Sequence, residues 1–283
     1  MNVLSLFDGM SCGQIALSSL GIKYENYYSS EIDEYAIKVT QHNFPETIQL
    51  GDITKINGYD LPKIDLLFGG SPCQSFSRAG DGSGFDGKSG LFWEFVRLLK
   101  ETNPKYFLLE NVKMKKEWQD IISGELGVKP IKINSNLVSA QNRERLYWTN
   151  IPSVVQPENK NIFIDDILDN FIDQKYFLKE RNLNLLKNKV NIDGFTPPLC
   201  IDVYNKKVKL DRKSPTLTHP CHNSIRLLVG ENVVRKFTPS ESEKLQTVPV
   251  GYTDVGLSDI HRYTMLGNGW SVDIIKHIFK NII

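Results

Sequence analysis

The chain begins with Val3-Leu4-Ser5-Leu6-Phe7, a short apolar run that leads directly into Asp8-Gly9-Met10-Ser11-Cys12-Gly13. Residues 3–7 predict a buried β-strand, and residues 14–20, beyond the glycines, predict a helix. Glycine between a strand and a helix permits a tight turn and lets the backbone approach a ligand. This stretch therefore predicts the first strand–loop–helix unit of an α/β fold.

The same alternation continues to about residue 110. Strand-like segments lie at residues 26–30, 48–50, 66–68 and 106–109, and helix-like segments lie at residues 34–42 and 91–100. Such alternation is typical of a parallel sheet covered by helices on both faces. We therefore predict an α/β fold with a Rossmann-like, mostly parallel sheet.

The pattern weakens after Pro152. Residues 153–234 are rich in Asn, Lys, Asp and Pro, and we predict a smaller, irregular second domain there. Residues 271–282 place Val272, Ile275, Ile278 and Phe279 on one helical face, so we expect the C-terminal helix to pack on the first domain. The predicted organisation is residues 1–152, then 153–234, then a return segment at 235–283.

Composition and charge exclude several classes of protein. Charged residues make up 24% of the chain and apolar residues 40%, which is typical of a globular protein rather than a disordered one. The net charge of +1 excludes a wholly basic surface but not a local basic face. No apolar run approaches the roughly 18 residues of a membrane span. The four cysteines form no Cys-x-x-Cys pair, so we expect an intracellular protein without a metal site.

Ligands of such folds bind at the carboxyl ends of the strands. Gly9 and Gly13 follow the first strand, and Glu31 follows the second at about the distance where an acidic residue reaches ribose hydroxyls. The pattern is not a full G-x-G-x-x-G, and a tight turn without a ligand fits it about as well. The pattern favours a nucleoside-bearing cofactor without saying which one.

Gly70-Ser71-Pro72-Cys73 follows another strand and begins a glycine-rich stretch to Gly90. A lone cysteine is more often inert than catalytic. A cysteine held behind a proline at the end of a strand is nevertheless rigid and partly exposed, so we predict that Cys73 is a nucleophile. The following stretch is predicted to act as a lid.

Two further sets of charged residues are candidates. Glu110 ends an apolar run, which suits an acid–base carboxylate as well as it suits a helix cap. Arg143 and Arg145 alternate in a β-like segment and so are predicted to share one face, where they could bind a phosphate or a base edge. The alternative is a solvent-exposed strand face on which Glu144 forms an ion pair with the arginines.

These short sequence motifs, in the order in which they occur along the chain, resemble those of the C5 DNA cytosine methyltransferases. The resemblance covers nearly the whole chain except about residues 153–210, and the set in order is far more specific than any single block. Besides the stretch from Ser5 to Gly13, the matching positions are Glu31, Asp52-Ile53, Pro72-Cys73-Gln74, Leu91-Phe92, Glu110-Asn111-Val112, Gln141-x-Arg143-x-Arg145, Arg235–Glu241, Leu245–Pro249 and Gly267–Val272.

The resemblance implies S-adenosylmethionine as the cofactor and S-adenosylhomocysteine as the product. Phe7 and Ile53 would contact the adenine, Asp52 its edge, and Glu31 the ribose. The remaining cofactor positions implied by the resemblance are Gly9, Gly13, Ile32, Pro72, Leu91, Asn268 and Val272.

The resemblance also implies covalent chemistry on a flipped-out cytosine of double-stranded DNA. Cys73 would add to C6, Glu110 would hydrogen-bond the base, Arg145 would hold its O2, and Arg143 would steady the active-site loop. Residues 153–234 would recognise the DNA site. The implied DNA contacts are Gln74, Ser75, Ser77, Arg78 and Thr216.

Two blocks depart from many bacterial members of the family. Ser71 stands where many have Phe, and Gly269-Trp270 are inserted after Asn268, as in the mammalian de novo methyltransferases. We expect a monomeric bacterial or phage enzyme in the cytoplasm, with a cognate restriction enzyme as a candidate partner.

Three alternatives remain at this stage. An RNA cytosine methyltransferase of the same fold would more often carry Pro-Pro-Cys at Cys73. A non-catalytic DNA-binding homologue would be expected to lack residues such as Cys73 and Glu110. An NAD-dependent oxidoreductase would leave the Pro-Cys-Gln block and both arginines without roles.

Overall fold

The computed structural model describes residues 1–72, 88–220 and 225–282 and divides the chain into two compact units. The first unit comprises Met1–Asn134, Glu144–Gln156 and Ile274–Ile283, and the second comprises Ser135–Arg143 and Pro157–Asp273. These boundaries differ from the predicted segments because the chain crosses between the units repeatedly. The roles predicted for residues 1–152, 153–234 and 235–283 therefore stay predictions.

A seven-stranded sheet forms the centre of the first unit. Its strands are β1 Asn2–Leu6, β2 Asn26–Ser30, β3 Ile48–Gln49, β4 Leu66–Gly69, β5 Tyr106–Val112, β6 Ile131–Asn134 and β7 Glu144–Thr149. They lie in the order β3-β2-β1-β4-β5-β7-β6, and β7 runs antiparallel to both neighbours while the other pairs are parallel. This mostly parallel sheet confirms the predicted fold class.

Among the described residues, four α-helices belong wholly to this unit: α1 Cys12–Ser19, α2 Glu34–Asn43, α3 Phe92–Thr102 and α4 Lys116–Leu126. α2 begins where the Asp33 carboxylate accepts the N–H groups of Tyr35 and Ala36 (2.9 and 3.2 Å). α1 lies close against the sheet, since a Cβ atom at Gly13 would come within 2.3 Å of the Phe68 ring. Helix packing therefore requires glycine at position 13, and its predicted contact with a ligand stays a prediction.

The second unit is built around a four-stranded antiparallel sheet. In chain order it contains α5 Glu180–Lys187, β8 Leu199–Asp202, β9 Lys207–Lys209, β10 Ile225–Gly230, β11 Val233–Arg235, α6 Pro239–Leu245, α7 Asp259–Asn268 and the start of α8 Val272–Phe279. The sheet order is β11-β10-β8-β9. The later part of α8 belongs to the first unit, where Phe279 packs on Phe68 with ring centroids 5.3 Å apart.

The sequence of residues 153–234 did not predict the strands of this sheet individually. The strands are short, and apolar side chains cover both faces of the sheet. Cys200 and Leu227 pack in one hydrophobic cluster, whereas the adjacent Ile201 and Leu228 pack in another. A strand buried on both faces lacks the alternation by which a strand is recognised.

A buried ion pair joins β11 to α6. The Arg235 guanidinium binds both carboxylate oxygens of Glu241 at 2.7 Å, and the two side chains are 3% and 0% exposed. Glu241 also accepts the N–H of Thr238, whose hydroxyl in turn accepts the Glu241 N–H and so caps the helix. A bidentate pair with these extra bonds fixes the orientation of α6.

Glu241→Gln should lower the free energy of unfolding by about 3–5 kcal/mol, because it leaves the Arg235 charge buried without a counter-charge. Urea-induced unfolding measures the change. Asp120→Asn, in the exposed Lys116–Asp120 pair, is the control and should cost less than about 1 kcal/mol. Equal losses in the two variants would contradict the importance of the buried pair.

Candidate active site

The loop after β1 has an unusual backbone. Phe7, Gly9 and Ser11 have φ angles of 56°, 58° and 63°, in the left-handed region that non-glycine residues rarely adopt. The N–H of Asp8 donates to Ser30 O at 3.1 Å, which ties the loop to the end of β2. Such strain persists only where the surroundings hold it, and it is common at ligand sites.

Glu31 is one of the groups that hold this loop. Its Oε2 accepts the Gly9 N–H at 2.7 Å, and its Oε1 accepts the N–H groups of Ile32 and Asp33 at 2.7 and 2.9 Å. A carboxylate has about four acceptor positions, so Glu31 retains capacity for another donor. The structure thus brings Gly9 and Glu31 into direct contact, and the Ile32 side chain beside them is 77% exposed.

An apolar surface adjoins the loop in the same unit. Ile53 is buried in the main hydrophobic cluster, and Phe7 and Leu91 are partly buried and packed against that cluster. Asp52 accepts the N–H and hydroxyl of Thr54 at 3.0 and 2.9 Å, and these hydrogen bonds keep the pKa of its carboxyl below the usual value. The carboxylate therefore remains an acceptor at neutral pH.

Asp8 is a site residue that the sequence analysis missed. Its carboxylate accepts hydrogen bonds from hydroxyls of Ser5, Ser11, Tyr27 and Ser29 at 2.5–2.9 Å. Burial raises the pKa of Asp8. The signal in the sequence was the serine within the apolar run of β1 and the two serines that end β2, and the parallel register pairs Ser5 with Ser29.

Glu110 and Arg145 form an ion pair on neighbouring strands. Arg145 Nε lies 2.9 Å from Glu110 Oε1, and the two side chains are 13% and 10% exposed. Glu110 was expected just after its strand, but β5 continues to Val112 because pairing with antiparallel β7 extends that far. The carboxylate is thus held on a strand and not on a loop.

Asn111 links β5 to the segment before Cys73. Its side-chain amide donates to Ser71 Oγ at 3.0 Å and Ser71 O at 3.3 Å, and both residues are buried. Ser71, which departs from the family pattern, therefore supplies an acceptor for Asn111. Pro72 is the last described residue of this segment. The predicted site residues Cys73, Gln74, Ser75, Ser77 and Arg78 lie outside the described residues, as does the predicted lid up to residue 87.

Arg143 does not share a surface with Arg145. β7 begins at Glu144, and the buried Arg143 guanidinium donates to the carbonyls of Leu217, Gly267 and Gly269 at 2.8–3.3 Å. All of these groups lie in the second unit, whereas Arg145 belongs to the first. The prediction that the two arginines share one strand face is therefore wrong, because only Arg145 lies on β7. The role predicted for Arg143, steadying the active-site loop, stays a prediction.

Two glutamines extend this buried polar network in the second unit. Gln141 donates to Leu245 O and Gln246 Oε1 and accepts the Leu217 N–H, at 2.7–3.1 Å. Gln246 donates in turn to the carbonyls of Leu266 and Gly269 at 2.5 and 3.1 Å. The sequence analysis gave neither glutamine a role.

The other predicted residues of this unit lie around the same network. Thr216 donates its hydroxyl to Asn142 O at 2.6 Å. Asn268 is exposed at the end of α7, and Val272 is buried at the start of α8, where its N–H binds Gln246 O at 2.9 Å. Their predicted contacts with DNA and cofactor stay predictions.

Arg143→Lys should lower the free energy of unfolding by about 2 kcal/mol, because one ammonium cannot match the planar donor set aimed at the three carbonyls. Urea-induced unfolding measures this. Arg181→Lys, on the exposed surface of α5, is the matched control and should change stability by less than about 0.5 kcal/mol. If Arg143→Lys unfolds at the same urea midpoint as wild type, the network does not depend on the guanidinium.

In the part of the chain that the structure describes, no helix has the length and apolarity needed to cross a membrane. Within the same residues, no three His, Cys, Asp or Glu side chains are grouped so that they could hold a metal ion.

Known methyltransferases resemble the chain in sequence. The type II methyltransferase M1.ScrFI of Lactococcus lactis subsp. cremoris is 31% identical over 92% of this chain and 72% of its own length. The type II methyltransferase M.NlaX of Neisseria lactamica is 28% identical over 99% and 95%. The orphan methyltransferase M.SPRI of Bacillus phage SPR is 31% identical over 71% of this chain, and the match spans only 57% of that phage protein.

Solved structures and a family model agree with these relatives. The Entamoeba histolytica methyltransferase EhMeth superimposes with a TM-score of 0.77 at 20% identity, over 100% of this chain and 99% of that one. A putative DNA modification methyltransferase of an Escherichia coli prophage gives 0.73 at 19%, over 100% and 98%. These likenesses show the fold. The family model of the C-5 cytosine-specific DNA methylases matches residues 1–283, so the chain belongs to that family of DNA methyltransferases.

Proposed function

We propose that this protein transfers a methyl group from S-adenosylmethionine to C5 of a flipped-out cytosine within a short duplex DNA site. The observation that carries the proposal is the Glu110–Arg145 pair on β5 and β7, together with the Asn111–Ser71 contact that fixes the segment leading to Cys73. The covalent reaction of this family needs a carboxylate, a guanidinium and a thiol, and the described residues bring the first two together.

The described residues of the first unit fit the cofactor. A Cβ atom built on Gly9 meets nothing within 4 Å, so the backbone there is open to a ligand. Glu31 retains acceptor capacity for ribose hydroxyls, and Phe7, Ile53 and Leu91 offer an apolar surface for adenine. Asp52, kept ionised, suits the amino group of adenine. When bound, S-adenosylmethionine supplies an electrophilic methyl group on a sulfonium sulfur.

The chemistry of the protein groups follows from the weak nucleophilicity of cytosine C5. The Cys73 thiolate adds to C6, and the ring electrons that this releases make C5 able to take the methyl group. Glu110 hydrogen-bonds N3 and the exocyclic amino group, and Arg145 holds O2. A base then removes the C5 proton, the C5–C6 double bond re-forms, and the thiolate leaves.

The target cytosine must leave the base stack, because a stacked ring exposes neither C6 to Cys73 nor its Watson–Crick edge to Glu110. We propose residues 153–234 as the segment that recognises the DNA site. Gln74, Ser75, Ser77 and Arg78 are proposed to contact DNA beside Cys73, and Thr216 beside the flipped base. The relatives that support this are bacterial and phage methyltransferases, so we place the reaction in the cytoplasm of a bacterial or phage-infected cell.

Cys73→Ala should abolish methylation but leave duplex binding within about threefold of wild type, because the thiol acts in bond formation and not in phosphate contacts. Purified protein, radiolabelled S-adenosylmethionine and unmethylated plasmid test this, and bisulfite sequencing then maps the modified cytosines. Cys200→Ala, at a buried cysteine of the second unit, is the matched control and should retain transfer.

Label in the Cys73→Ala variant would reject the nucleophile. Label in tRNA but not in DNA would show that the substrate is RNA. Absence of label in both would favour a non-catalytic DNA-binding protein.

Glu31→Ala should raise the Kd for S-adenosylmethionine by about 10- to 100-fold, because the variant loses both the ribose acceptor and the anchor of the Gly9 N–H. The Kd for duplex DNA should change less than about threefold. Isothermal titration calorimetry measures the first and fluorescence anisotropy the second. Asp33→Ala, which removes only a helix cap two residues away, should leave cofactor affinity within about threefold; equal losses in both variants would contradict a specific role for Glu31.

A further inference from the structure

The carboxylate of Asp8 has four hydroxyl donors and, among the residues that the structure describes, no cationic partner. The hydroxyls of Ser5 and Ser11 donate to it at 2.5 Å, that of Tyr27 at 2.8 Å and that of Ser29 at 2.9 Å. Among residues 1–72, 88–220 and 225–282, no Lys, Arg or His forms an ion pair with Asp8. Four hydroxyl donors on two oxygens fill the acceptor positions that an ionised carboxylate offers, so this cluster suits the charged form.

An enclosed negative charge without a counter-ion is costly, and hydroxyl dipoles offset only part of that cost. Burial raises the pKa of Asp8 for the same reason: the buried charge is costly, so protonation is favoured. A cation that arrives near this carboxylate would therefore bind more favourably than an uncharged group of the same shape. The low dielectric that makes the charge costly also makes its attraction strong.

The position of Asp8 makes the cofactor the cation concerned. Asp8 lies between Phe7 and Gly9, in the loop whose backbone is open to a ligand. All three residues keep partly accessible surface, although the Asp8 carboxylate itself is enclosed. Transfer moves the methyl group from sulfur to cytosine C5, and the positively charged sulfonium becomes a neutral thioether. The cofactor therefore loses one unit of positive charge in the step that turns substrate into product.

We infer that Asp8 is a specificity-determining residue whose charge favours the cationic methyl donor over the neutral product S-adenosylhomocysteine. The inference rests on the proposed function, because it needs S-adenosylmethionine in the loop after β1. It assigns to Asp8 a role separate from that of Glu31, which binds a part of the cofactor that donor and product share. Asp8 would thus weaken binding of the product relative to binding of the donor, and so favour replacement of the product by a new donor between turnovers.

A purely structural role predicts a different result. If the carboxylate only shaped the loop, its loss would weaken donor and product equally, because both contain the same adenosine and amino-acid groups. The ratio of the two dissociation constants, Kd for S-adenosylhomocysteine divided by Kd for S-adenosylmethionine, separates the two roles and does not depend on activity.

Calorimetric titration of the full chain with each compound gives this ratio. Asp8→Asn keeps the size of the side chain and removes its charge, and the hydroxyls can rotate to bind the amide. The ratio should fall roughly tenfold. Asp52→Asn is the matched control. It removes an exposed carboxylate at the adenine end, which solvent screens, and it should alter both constants by the same factor.

Tyr27→Phe provides an independent test if Asp8→Asn does not fold. It keeps the carboxylate and removes one donor that disperses its charge, so the ratio should stay at the wild-type value or rise. A fall in this variant, or an unchanged ratio in Asp8→Asn, would overturn the inference. Failure of wild type to bind S-adenosylmethionine would overturn the proposed function itself, whereas tight donor binding with an unchanged ratio would overturn only the role of Asp8.

Discussion

The parallel pairing of β1 with β2 on one side and β4 on the other is the constraint on which the rest of the first unit depends. Ser5 lies opposite Ser29 in one neighbour and opposite Phe68 in the other, so the carboxyl ends of all three strands meet at one edge. The loops that leave these ends carry Asp8, Glu31 and Pro72. None of these residues could act together if one strand slipped by a residue, because a slip reverses which side chains face the core.

The sequence predicted the parallel part of the fold well because each of its elements carries a local signal. β2 was predicted with the correct bounds, and the contact of Gly9 with Glu31 follows the predicted convergence of strand ends. The antiparallel sheet of the second unit was missed because β8 and β10 are apolar on both faces. β8 pairs with β10 although β9 lies between them in the sequence, so no single turn sets the register of that pair.

The same limit explains the arginines. Alternation in the sequence predicts that Arg143 and Arg145 lie on one face, but only if one strand contains both residues. The strand begins between them, at Glu144, and the chain passes from one compact unit to the other at that point. Arg143 is satisfied by carbonyls that lie 74 to 126 residues away in sequence, so only the folded structure identifies its partners.

The extension of β5 through Glu110 and Asn111 has a chemical consequence. A carboxylate on a loop can relax when its partner changes, whereas the backbone of Glu110 is held in the ladder between β5 and β7, where Glu110 lies opposite Tyr147. Consecutive residues on a strand point to opposite faces, so Glu110 can pair with Arg145 while Asn111 binds Ser71. One strand therefore holds the group proposed to bind the base and also contacts Ser71, two residues before Cys73 in the sequence. Because Glu110 and Asn111 are consecutive on β5, the same ladder of hydrogen bonds to β7 fixes the backbone of both residues.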